Sequence, residues 1–121
     1  MITNINSKDN EKLKYTRALL KSKNRNKESK FIIEGYRIVM LALECMANLD
    51  YVFINEEFEN KKEHVKLLED LDKKKTKIYK TTNKNFKELV DTENTQGIIG
   101  VVSFKKKKLS ESINKKDKFV L

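Results

Sequence analysis

The chain has 121 residues, and its 27 Lys and Arg outweigh 18 Asp and Glu, for a formal net charge of +9. That length builds one compact domain, and no apolar run is long enough for a membrane span. Cys45 is the single cysteine and His64 the single histidine, so an internal disulfide and a zinc site are both excluded, and a reducing cytoplasm fits.

The opening segment MITNINSKDNEK lacks the apolar stretch of a secretory signal. A helix is expected over roughly 8–23. At about 100° per residue, Leu13, Thr16, Leu19 and Leu20 share one half of the wheel, while Lys14, Arg17 and Lys21 form a cationic ridge elsewhere. Residues 22–30 (SKNRNKESK) read as a polar loop. FIIE (31–34) reads as a short buried strand, and Gly35 then permits a tight turn into a helix over 36–47. YVFIN (51–55) is a second strand. Residues 60–74 read as a helix with Val65, Leu68 and Leu71 inward, and the acids of 56–72 as its solvated face and approach. TKIYKT (76–81) is the third strand. Asn83 or Asn85 can cap a short helix that uses Phe86, Leu89 and Val90. GIIGVVSF (97–104) is the most apolar strand. KKKKLSESINKKD (105–117) reads as a charged linker, and KFVL at the end as the start of a further strand.

Four strand–helix alternations imply an α/β architecture, a small mixed sheet flanked by helices, with an extra helix in front. No catalytic set stands out. His64 reads as a solvated surface residue and Cys45 as a small core side chain. The three glycines are scattered, so no phosphate-cradling loop is present.

Charge location is more informative than its sum. Residues 1–30 hold nine cations and three anions, residues 31–104 hold eleven and thirteen, and residues 105–121 hold seven and two. The excess thus lies in the flanks, where a polyanion is the natural partner. Lys14, Arg17, Lys21, Lys23, Arg25 and Lys27 give an array that suits a phosphate backbone. The two arginines match phosphate bidentately. Tyr15 can stack on an unpaired base or pack on the domain; spacing does not choose.

The stretch N-E-K-L-K (10–14), then Leu20-Lys21, Lys23, Arg25 and Lys27, then F-I-I-E-G-Y-R-I-V (31–39), resembles the N-terminal substrate-binding domain of SpoU/TrmH-type RNA 2′-O-ribose methyltransferases. So does L-V-D-T-E-N-T-Q-G-I-I-G-V-V (89–102), which is similar to that domain's Asp-Thr … Gln-Gly turn and closing strand. Thr95 stands where the family usually has Pro, and Glu11 replaces another Pro.

The resemblance implies a fold like the ribosomal proteins that bind kink-turn RNA, with rRNA or tRNA as partner. It implies an RNA-binding domain over 1–104, a linker over 105–117, and at 118–121 the start of a truncated catalytic domain that binds S-adenosylmethionine and forms a homodimer. Neither catalytic nor cofactor-binding residues would then fall in this chain. Arg37, after Glu34-Gly35, is either a further RNA contact or a partner of Glu34. Gln96 is either an RNA contact or a turn stabiliser. The alternative is a free-standing ribosomal-protein-like RNA binder with no enzyme attached; a third reading is a protein-interaction module whose lysines confer solubility.

Overall fold

A computed structural model describes residues 2–90 and 95–104. The Asp91-Thr92 turn, the linker 105–117 and residues 118–121 lie outside the described residues. The elements run β1 (Ile2–Asn4), α1 (Glu11–Ala18), α2 (Ser22–Glu28), β2 (Lys30–Glu34), α3 (Tyr36–Glu44) and β3 (Leu49–Ile54). Then come α4 (Glu56–Asn60), a 3-10 turn (Lys62–His64), α5 (Val65–Lys73), β4 (Lys77–Lys80), α6 (Asn83–Lys87) and β5 (Ile98–Ser103).

The strands form one mixed sheet in the order β1-β4-β3-β5-β2. β1, β4 and β3 run parallel, while β5 is antiparallel to both β3 and β2. Alternation along the central strands builds a core on each face, since successive side chains point to opposite sides. Val52, Ile54, Ile98 and Val102 face one way and pack with Val39, Leu43, Leu67 and Leu71 of α3 and α5. Tyr51, Phe53, Ile99 and Val101 face the other way and pack with Leu13, Leu19, Phe86 and Leu89. Helices therefore cover both faces, and Tyr51–Ile54 of β3 and Ile98–Val102 of β5 run almost wholly apolar because neither side meets water.

Several expectations need correction. The helix expected over 60–74 begins only at Val65, because residues 62–64 wind more tightly as a 3-10 turn. The phase shifts accordingly: Val65 is 46% exposed, Leu68 is half-buried, and the inward stripe is His64, Leu67 and Leu71. His64, expected in solvent, is thus buried. Cys45 is exposed and not part of the core, since α3 ends at Glu44 and its last buried residue is Leu43. The acidic approach to α5 contains its own helix, α4, capped by Asn55, whose Oδ1 accepts from Phe58 N at 2.9 Å. Its first-turn acids suit the helix dipole. Thr82, rather than an asparagine, caps α6, and its Oγ1 accepts from Asn85 N at 3.1 Å.

Candidate nucleic-acid interface

The N-terminal basic segment folds as two helices. Asn10 starts α1, with Oδ1 accepting from Lys12 N at 2.7 Å, and Leu13, Thr16 and Leu19 are buried against the sheet. α1 stops at Ala18, where its last carbonyls need partners. Side chains of α2 supply them. Asn24 Nδ2 donates to Ala18 O at 2.9 Å, and Arg25 Nη1 donates to Leu19 O at 3.0 Å and Leu20 O at 2.8 Å. Tyr15 Oη donates to Glu28 Oε1 at 3.0 Å and ties the far end of α2 to α1. α2 buries no residue at all and ends at Ser29 in the left-handed conformation.

The expected loop over 22–30 is therefore largely helix, and the expected single helix over 8–23 is broken. Lys21 sits at the junction as the N-cap of α2, so Lys14, Arg17 and Lys21 do not share one continuous helix face. Lys14, Lys21, Lys23 and Lys27 are all exposed. Arg17 and Arg25 have internal work: Arg17 Nη1 donates to Glu88 Oε1 and Nη2 to Lys8 O, both at 3.2 Å. Arg37 stands apart. It follows β2 whereas α2 precedes it, so five strand residues, about 16 Å at the usual rise, separate the two regions.

At that far end the two halves of the sequence resemblance meet. Gly35 adopts φ +119° and Gly97 φ +86°, conformations that side-chain-bearing residues rarely take. Gln96 Oε1 accepts from Tyr36 N at 2.9 Å, so Gln96 closes the start of α3. Thr95 Oγ1 accepts from Gly97 N at 3.1 Å; a hydroxyl bond holds this turn. Beneath it His64 stacks on Phe58, with ring centroids 3.7 Å apart and planes within 10°. Its Nδ1 lies 2.9 Å from Phe58 O, so Nδ1 carries the proton and donates. A hollow of about 680 Å³ opens beside the corner, lined by Arg37 and Lys61 but also by Glu34 and Glu63. Its two cations are matched by two carboxylates, whereas α1 and α2 each carry three cations against one carboxylate.

Two phenols near the basic helices resist ionisation. Burial first, then the Glu28 carboxylate, pushes Tyr15 up to about 12. Burial likewise pushes Tyr51 up to about 12, with Asp50 adding to it.

The structure is thus a two-sided mixed-sheet domain carrying an exposed basic helix pair held together by side-chain bonds. The family model described as MRM3-like substrate binding domain matches residues 10–100, and the chain belongs to that family. A search of curated proteins gave no match. Among solved structures, an rRNA methyltransferase from Sinorhizobium meliloti aligns with TM-score 0.71 at 17% identity, covering 86% of this chain and 38% of that one. An RNA 2′-O ribose methyltransferase aligns with TM-score 0.71 at 22% identity, over 87% of this chain and 39% of that one. The SpoU methyltransferase AviRb from Streptomyces viridochromogenes, in complex with AdoMet, gives TM-score 0.63 at 18% identity, over 79% and 34% of the two chains. At these identities the likeness is one of fold, and the chain spans about two fifths of the first two.

Proposed function

We propose that this domain captures RNA, ribosomal or transfer, for an S-adenosylmethionine-dependent RNA 2′-O-ribose methyltransferase of the cytoplasm. Phosphates are held by Lys14, Lys21, Lys23 and Lys27, with Arg17 and Arg25 fixing the two helices while offering their remaining N–H groups. The observation that carries the reading is α2. A helix with no buried side chain contributes nothing to either core, yet it is clamped in place by bonds to α1 and displays its lysines outward.

In this reading the methyl donor binds outside this domain. Gly35 precedes a helix, but the N–H of Tyr36 there is already taken by Gln96, and Gly97 is packed against Asn55 and Phe58. Cofactor binding, methyl transfer and homodimerisation are assigned to a separate catalytic domain. The role of this one is to raise the local concentration of RNA and orient it.

The test is a salt titration of binding to structured RNA. About five phosphate contacts give a slope of log affinity against log salt of roughly −3.5 to −4.5. Replacing Lys14, Lys21, Lys23 and Lys27 by Ala should flatten it by roughly three units. Equal flattening on removing Lys105–Lys108 instead would reveal general charge attraction and overturn the assignment.

A further inference from the structure

A second surface feature lies at the same end of the sheet as α1 and α2. An open groove of about 570 Å³ runs between α1 and the first residues of β3 and β4, a size typical of ligand clefts. Its lining combines Lys12, Lys75 and Lys77 with the rings of Tyr15, Tyr51 and Tyr79. Tyr51 forms the floor, with Lys12 Nζ 4.6 Å above its ring and Tyr79 edge-on at 5.7 Å. Tyr79 is half-buried and Tyr15 stands on the α1 side, also half-buried. The carboxylate in the groove, Asp50, is already neutralised: its Oδ2 accepts from Lys30 Nζ at 2.5 Å and from Ser103 Oγ at 2.7 Å. Lys75 and Lys77 are exposed at its rim.

We infer that this groove binds an unpaired stretch of RNA, its bases stacked on Tyr15 and Tyr79 and its phosphates held by Lys12, Lys75 and Lys77. The inference rests on the RNA-binding reading above and extends it from phosphate contact to recognition of single strands. Aromatic faces interleaved with cations suit single strands because every base has a π-face, whereas bases in a duplex are stacked on one another and closed to side chains. A duplex offers only its phosphates. The groove therefore selects loops and bulges, the places where an RNA ribose is open to an enzyme.

The chain reports on its own groove, because it has no Trp and four Tyr, three of which line it. The experiment titrates the full chain with hexauridylate and, separately, with a fully paired RNA duplex, reading tyrosine fluorescence. The single strand should quench saturably and the duplex much less. Tyr79→Leu, which unlike a change at Tyr15 leaves the α1–α2 clamp intact, should weaken hexauridylate binding roughly tenfold, the scale of one lost stacking contact. Lys75→Asn combined with Lys77→Ala should weaken it by a similar factor or more. Lys75 has φ 62°, a conformation that Asn accepts well, so this variant should keep or gain stability in a denaturant melt, and lost binding cannot be blamed on misfolding. Equal quenching by duplex and single strand, or unchanged affinity of both variants, would overturn the groove. Structured RNA that binds through the α1–α2 lysines without tyrosine quenching would overturn the groove alone. Absence of binding to any RNA would overturn the RNA-binding reading with it.

Discussion

The hydroxyls of Thr16 and Tyr51 lie 2.7 Å apart in the buried layer between α1 and the sheet. Thr16 Oγ1 also lies 2.8 Å from Lys12 O and must donate its one proton there. Tyr51 is therefore the donor to Thr16, and the basic helix is docked by a directed bond as well as by Leu13 and Leu19.

Thr16→Val keeps the shape but leaves a buried phenol without its acceptor. The expected cost is about 1–3 kcal/mol, measurable by urea denaturation. RNA affinity should fall only as far as the helix loosens, so at a temperature where the variant is fully folded it should bind nearly as wild type does.

Gly97→Ala should be harsher. A Cβ at Gly97 would stand 2.5 Å from Asn55 Oδ1 and 3.1 Å from Phe58 Cβ, at a backbone angle that already costs an L-residue about 1–3 kcal/mol. Asn55 would have to release Phe58 N and uncap α4. We expect a melting temperature at least several degrees lower, read by circular dichroism. A variant as stable as wild type would show that this corner is more yielding than its geometry implies.

The central strands were legible because burial on both faces writes a continuous apolar run, as in YVFIN and GIIGVVSF. The inward half-wheel expected for α1 was legible too, since Leu13, Thr16 and Leu19 are buried, although Leu20, expected beside them, is only half-buried past the end of the helix. α2 was hidden for a physical reason. A helix with no apolar face leaves no period in the sequence, and its support comes from Asn24, Arg25 and Tyr15 bonding across a turn. β1 is three residues long on a sheet edge, too short to show alternation. His64 looked solvated because its partner, Phe58, belongs to a helix that carries a single buried residue. Gln96 was visible as a turn stabiliser, while its acceptor role toward Tyr36, sixty positions away, required the fold.

The alkaline limb of stability should carry a signature of the α1–sheet interface. Tyr15 and Tyr51 both have folded-state values of about 12, against about 10 in an unfolded chain. For an acid held neutral in the fold, the unfolded state loses its proton first. The contribution is thus fully present below pH 10 and is lost as pH rises toward 12. Unfolding free energy should decline across that window, and Tyr51→Phe, which removes one of the two phenols, should show a shallower decline than wild type.

Arg25 offers the sharpest separation of scaffold from contact. Its Nη1 closes two carbonyls at the end of α1, so Arg25→Ala should release α2 from α1 and leave acceptors that water must satisfy. Hydrogen exchange should then speed up across 22–28, while the sheet amides of β3 and β5 stay protected. Lys23→Ala removes a charge from the same helix and no internal bond, so exchange should stay as in wild type. Both variants should weaken binding to structured RNA, but for different reasons. Lys23→Ala should flatten the salt slope by roughly 0.7–0.9, one phosphate's worth. Arg25→Ala should cost more affinity than one contact explains, because every lysine on α2 loses its fixed position. If Arg25→Ala left exchange across α2 unchanged and cost no more than Lys23→Ala, the helix would be holding itself, and the clamp between α1 and α2 would have no part in presenting the lysines.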